Sequence, residues 1–271
     1  MILTLSFFAF IQMSAVEAQF ELPDDPLRGL ALERNGDVLF GTFDDRTKTS
    51  RVGVYKIQQG KLVLKSYYPP QFKGDLDIIP TKNGMFVLDY DGESLYSLRK
   101  NGSIEWKTNV KMPHGMRIDS QGNLWFFFPS GMVFRKTNDS SEVEPLLLPN
   151  GKEFSHYTML DIAPLPKGDF YLLDEQGKLY YVGLDKKKTF VRNLSSSRIL
   201  VTPQGDLITF VNGAVCRLNR AGDLRVLWSP PRQVGAQVCF MDWTFDGRLL
   251  VAAKVGERRG IAWLIKKEAL K

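Results

Sequence analysis

The sequence predicts an all-β chain folded as a closed ring of six repeated four-stranded antiparallel sheets, and three observations predict it. A strand-like apolar run follows each of Gly36, Gly84, Gly122, Gly168, Gly205 and Gly247, as in Gly122-Asn123-Leu124-Trp125-Phe126. These glycines are 48, 38, 46, 37 and 42 residues apart, the period at which the blades of a β-propeller repeat. Turn dipeptides such as Asp91-Gly92, Asn101-Gly102 and Asn212-Gly213 separate the apolar runs, and Asn-Gly or Asp-Gly so placed is the strongest short hairpin signal. No stretch carries a helical repeat of apolar residues. One such sheet cannot bury its own faces, so the repeats must stack around an axis.

Blade two reads as Leu76–Pro80, Met85–Asp89, Ser94–Leu98 and Ser103–Lys107, each run bounded by a turn. Asp89 and Asp91 flank its second turn, where carboxylates cap backbone N–H groups rather than form a catalytic pair. Blade three has Pro113–Asp119 innermost, then Asn123–Phe127, Met132–Lys136 and an outer strand at Glu144–Leu148. Blade five follows with Ile199–Thr202, Asp206–Val211, Ala214–Asn219 and Leu224–Trp228. Blade six has only Val238–Thr244, Arg248–Ala253 and Gly260–Lys266, because Lys267 to Lys271 is too short and polar for a fourth strand. Gln19–Leu22 stands ahead of blade one without a partner of its own. Pairing it outside Gly260–Lys266 closes the ring and hides an open edge.

With 44% apolar residues, five Trp and 18 Phe, the chain can fill a core and is not a disordered segment. The balance of 36 basic and 30 acidic residues leaves a net charge of +6, but the charges are interleaved, as in Asp185-Lys186-Lys187-Lys188. No basic stripe with interleaved aromatics is present, so nucleic acid is not an expected partner. The first 16 residues carry no charge, and Val16 and Ala18 are small residues at the −3 and −1 positions of a cleavage site. Residues 1–18 therefore read as a signal peptide lacking the usual basic start, and 19–271 as one propeller domain, secreted or periplasmic. No other run is long enough to span a bilayer, and the mature chain is expected to be a monomer. Asn101, Asn138 and Asn193 head Asn-X-Ser/Thr sequons, which matter only in a host that glycosylates exported proteins. Cys216 and Cys239 fall at different distances from the ring axis and are expected to be free thiols rather than a disulfide.

In a ring of this kind the first residues of the inner strands line one mouth of the central channel. Counting back from the turn glycines gives Arg28 and Gly29, Leu76 and Asp77, His114 and Gly115, Leu160 and Asp161, Ser197 and Arg198, and Cys239 and Phe240. Arg28, Asp77, His114, Asp161 and Arg198 are thus the candidate ligand-binding residues. Such a mixture suits an anionic or polyhydroxy ligand, or a divalent cation such as Ca²⁺ or Mg²⁺ held by Asp77, Asp161 and His114. The plainer alternative is that opposite charges pair across the mouth or stay solvated at its rim.

The run Pro113-His114-Gly115-Met116-Arg117-Ile118-Asp119-Ser120-Gln121-Gly122-Asn123-Leu124-Trp125-Phe126 resembles a repeat of the streptogramin B lyase family, and Pro26–Leu32 resembles the related NHL repeat. Gluconolactonase-type propellers share the six-bladed ring. The lyase resemblance implies a histidine base in this loop, a second histidine in a neighbouring blade and carboxylates that help to hold Mg²⁺. His114 matches the first. His156 lies one period on but is displaced towards a crossover loop. Phe128 stands where a glutamate is expected, and Asp174 offers the equivalent carboxylate in blade four, a candidate metal ligand with Asp77 and Asp161. The gluconolactonase pattern would need an asparagine at the mouth, and none is there.

With the repeat well formed and this catalytic set incomplete, the expectation is an exported, non-catalytic propeller that binds a small molecule or a protein at its channel mouth. The rival expectation is a metal-assisted lyase or lactone hydrolase with His114 as general base.

Overall fold

The computed structural model describes residues 15–23, 29–137, 143–146, 158–202, 204–219, 222–231, 237–255 and 259–270. Arg28, Asn138 and His156 lie outside them. Among the described residues the chain forms twenty-four strands. The first is β1 (Val16–Leu22). Blade one comprises β2 (Leu30–Leu32), β3 (Val38–Asp44), β4 (Thr49–Gln58) and β5 (Lys61–Tyr67). Blade two comprises β6 (Leu76–Pro80), β7 (Gly84–Asp89), β8 (Ser94–Arg99) and β9 (Ile104–Asn109). Blade three has β10 (Gly115–Ile118), β11 (Leu124–Phe127), β12 (Val133–Lys136) and β13 (Glu144–Leu146). Blade four has β14 (Met159–Pro164), β15 (Phe170–Asp174), β16 (Lys178–Val182) and β17 (Lys188–Asn193). Blade five has β18 (Ile199–Val201), β19 (Leu207–Val211), β20 (Ala214–Leu218) and β21 (Leu224–Trp228). The last blade has β22 (Gln237–Trp243), β23 (Leu249–Val255) and β24 (Arg259–Ile265), followed by a 3₁₀ turn at Lys267–Leu270.

Each blade is an antiparallel meander, and β1 supplies the missing fourth strand of the last one. It pairs antiparallel with β24 from Leu22 opposite Gly260 to Val16 opposite Ile265, and touches β5 by a single parallel bridge. The expected closure therefore forms, but the strand begins three residues earlier than Gln19. Lys266 N donates to Ala15 O at 2.9 Å, extending the contact further. Cleavage after Ala18 would remove the first three residues of β1.

The core is divided into six apolar clusters, each lying between two neighbouring blades. Ala31 and Leu39 of blade one pack with Ile78, Met85 and Val87 of blade two. The cluster that joins the last blade to the first holds Phe240, Leu250 and Ala252 against Leu30, Val38 and Phe40, with Phe20 of β1 in its midst. No blade owns a core, so no blade is stable without its neighbours.

Five of the six inner hairpins share one turn. In blade three, Asp119 N donates to Asn123 O and Gly122 N to Asp119 O, with Gly122 at φ 84°. Gly36, Gly168, Gly205 and Gly247 repeat this left-handed conformation, which glycine adopts without a Cβ penalty. Gly84 differs from the sequence reading. Thr81 N bonds directly to Gly84 O, so the loop is only Lys82-Asn83 and Gly84 starts β7.

Candidate functional site

The centre of the ring is built from the inner strands β2, β6, β10, β14, β18 and β22. In each, the residue three places before the last hairpin pair begins the mouth: Gly29, Asp77, Gly115, Asp161, Arg198 and Phe240. These are the positions that counting from the turn glycines selects. Bulges at Leu160 and Cys239 keep β14 and β22 in step with the others. Gly29 is needed because a Cβ there would meet Leu76 O at 2.7 Å, and its φ is 85°.

Strand side chains alternate between faces, so the residues two places further on face the same way. They are Ala31, Ile79, Arg117, Ala163, Leu200 and Asp242. Arg117 and Asp242, which the sequence reading did not single out, occupy this deeper tier. Period-two counting from the mouth positions would have found both.

Arg117 is the hub. Its Nη2 donates to Asp161 Oδ1 at 2.5 Å, its Nη1 donates to Met116 O at 2.7 Å and approaches Asp77 Oδ2 to 4.0 Å. Side-chain exposure is 7% for Arg117 and 0% for Asp161, so this pair is wholly desolvated. The remaining carboxylate capacity is spent on backbone. Asp161 accepts from Ile162 N and, at 2.9 Å, from Ile199 N of the next blade. Asp77 likewise accepts from Ile78 N and, at 3.4 Å, from Met116 N of the next blade. Both aspartates thus tie one inner strand to its neighbour while flanking the guanidinium. Despite its burial, Arg117 is held firmly protonated by Asp161, Asp77 and Asp242.

Asp242 is differently placed. Among the described residues its carboxylate accepts from Trp243 N alone, at 2.7 Å, and burial pushes it above the ordinary carboxylate range although Arg117 and Arg198 pull the other way. His114 precedes β10, with its ring against Phe127 at 5.8 Å and its carbonyl accepting from Tyr90 Oη at 3.2 Å. Burial holds its imidazole below the ordinary 6.5, against the opposing pull of Asp161. The guanidinium carbon of Arg198 lies over the Phe240 ring, 5.3 Å from its centroid. Gly29, Leu76, Asp77, Tyr90, Arg198 and Phe240 enclose a cavity of about 30 Å³ at the mouth.

The structure therefore brings Asp77, His114, Asp161 and Arg198 together, around an arginine. Asp174 is elsewhere: its Oδ1 accepts from Gln176 N and Lys178 N and caps the hairpin joining β15 to β16. Asp89 caps its own turn through Gly92 N and also accepts from Lys73 N and Gly74 N of the loop that leads into β6. Among the described residues no group of three or more His, Cys, Asp or Glu side chains is placed to hold a metal ion. The donor set does not fit a divalent cation, because a guanidinium stands where the metal would have to bridge Asp77 and Asp161.

Fold and site define a β-propeller with a buried ion-pair cluster among its inner strands. Among solved structures, the chain is similar to streptogramin B lyase at 13% identity and TM-score 0.60, with 92% of this chain and 99% of that one covered. It is also similar to a gluconolactonase from Xanthomonas campestris (11% identity, TM-score 0.56, 92% and 88% covered) and to the WD40 propeller domain of Doa1 (11%, 0.55, 92% and 96%). At such identities the likeness shows the fold alone, and it extends to enzymes and a WD40 domain alike. No protein-family model and no curated protein matches the sequence.

Proposed function

We propose that this protein is an exported, non-catalytic binding propeller that takes a small molecule or a protein segment at the mouth of its channel. One observation carries the reading. The deep charges Arg117, Asp161 and Asp77 pair through the Arg117 Nη atoms, with Arg117 Nε left over, while at the mouth the whole side chains of Arg198 and His114 make no hydrogen bond with the described residues. Groups that are committed to each other build a floor; groups left unpaired beside a cavity are available to a ligand. The lyase reading asks His114 to act as a base beside a cation, and the cation's seat is filled by Arg117.

Export rests on the uncharged N-terminal stretch. Among the described residues no helix is long and apolar enough to cross a membrane.

A thermal-shift screen with sugars, lactones, carboxylic acids, Ca²⁺, Mg²⁺ and Zn²⁺ tests the reading. A mouth ligand raises the melting temperature by mass action, and His114→Ala weakens its effect without changing the fold. A screen in which no small molecule shifts the melting curve would remove the small-molecule reading, and a shift by a cation would favour the metal-assisted rival.

A further inference from the structure

The channel holds two arginines in opposite circumstances. Arg117 is buried and bonded to Asp161. Arg198 sits one tier higher, just before β18 of blade five, and its guanidinium donates no hydrogen bond and forms no ion pair with any described residue. Its Nε, like that of Arg117, is shielded from solvent and has no hydrogen-bond partner among the described residues. A buried donor left unpaired carries the full cost of its desolvation, which a ligand oxygen would recover.

The guanidinium carbon lies over the Phe240 ring, 5.3 Å from its centroid, a cation–π contact that holds the head group beside the cavity. A planar fork presenting parallel N–H groups matches a carboxylate with two hydrogen bonds. The cavity beside it, about 30 Å³, has room for roughly two water-sized oxygens. That matches the two oxygens of a carboxylate.

The surrounding charge selects further. Asp77 forms one wall of the cavity, and Asp242 lies close enough for Arg198 to influence its ionisation. Arg117 and Arg198 together face Asp77, Asp161 and Asp242, so a dianionic phosphate would add two negative charges to a site without a surplus cation, and a monoanion only one.

Resting on the mouth-binding reading, we propose that Arg198 anchors the carboxylate of a ligand whose body remains outside the channel, the headgroup entering the cavity between Phe240, Tyr90 and Gly29. A free organic acid and the chain end of a peptide share this chemistry.

The test compares benzoate with benzamide, and a tripeptide bearing a free C-terminus with the same tripeptide amidated, by calorimetric titration of the full chain. Wild-type protein should bind at least one carboxylate and bind its uncharged amide far more weakly. Benzoate alone points to a free acid, and the tripeptide to a chain end. Arg198→Gln should weaken the carboxylate by roughly ten- to a hundredfold, the worth of hydrogen bonds to a charged group. Arg198→Lys, which keeps the charge without the fork, should fall between, and it provides the comparison if the glutamine variant folds poorly. Equal binding of acid and amide, unchanged affinity in Arg198→Gln, or no binding of any carboxylate would overturn the inference. Should sugars or lactones then bind wild type and Arg198→Gln alike, the mouth-binding reading stands and only the carboxylate is wrong. Should nothing bind, both fall.

Discussion

Arg117 Nη2 lies 2.5 Å from Asp161 Oδ1, joining the inner strands of blades three and four at the centre of the ring. The same Asp161 accepts from Ile199 N of blade five, so one ion pair ties three consecutive blades together. A buried pair of this kind gains little over apolar residues of similar shape, but breaking it by removing one partner strands a desolvated charge.

Arg117→Met should therefore destabilise the fold by about 3–5 kcal/mol, leaving Asp161 buried without its counter-charge. Adding Asp161→Asn should restore part of that loss. Urea denaturation of the two variants checks the sign: a double variant no more stable than the single one would contradict the account.

The ring closes through β1, and its parts contribute unequally. Glu17 and Arg248 pair at 2.6 Å, yet their side chains are 45% and 21% exposed, so Glu17→Ala should cost less than about 1 kcal/mol. Phe20, 1% exposed within the core between the last and first blades, should cost about 3–5 kcal/mol when cut to alanine. A chain starting at Gln19 loses Val16, the Ala15 contact and Glu17 together, and should melt below one starting at Ala15. Thermal melts of the two lengths decide this, and the N-terminal mass of exported protein shows which length exists after processing.

His114 makes stability depend on pH in a definite direction. Its folded pKa lies below the ordinary 6.5 because burial disfavours the imidazolium. The contribution is therefore fully present above 6.5 and is lost as pH falls through the folded value. The urea midpoint should drop more between about pH 7.5 and pH 5 in wild type than in His114→Gln.

Asp242 works in the opposite sense. Burial raises its folded pKa above the ordinary 3.8, so its contribution is fully present below 3.8 and is lost as pH rises through the folded value. Asp242→Asn keeps an acceptor for Trp243 N without the charge. At neutral pH it should be more stable than wild type, and a lower urea midpoint for the variant would refute this.

Cys216 in β20 and Cys239 in β22 are not joined in a disulfide, and the former is buried. Thiol titration after denaturation without reductant should give two per chain.

The repeat, the strand order within blades and the closing pairing with Gly260–Lys266 are legible in the sequence because they depend on local periodicity and turn chemistry. The glycine count also finds the mouth positions Asp77, Asp161 and Arg198, since each inner hairpin preserves the same number of residues from turn to mouth. Where a turn departs from the pattern, as at Gly84, the count survives because its strand absorbs the difference.

What the sequence does not show is which charges meet. Arg117 and Asp161 are 44 residues apart, and nothing local in either marks them as partners. Their pairing exists only once six inner strands converge and water is excluded between them. The same closure decides that Asp174, an aspartate like the others by composition, caps a hairpin, and that Arg198 keeps an unspent guanidinium at the mouth. Periodicity fixes where a side chain points along its own strand; only the closed ring, by bringing distant strands within hydrogen-bonding reach, determines what it finds there.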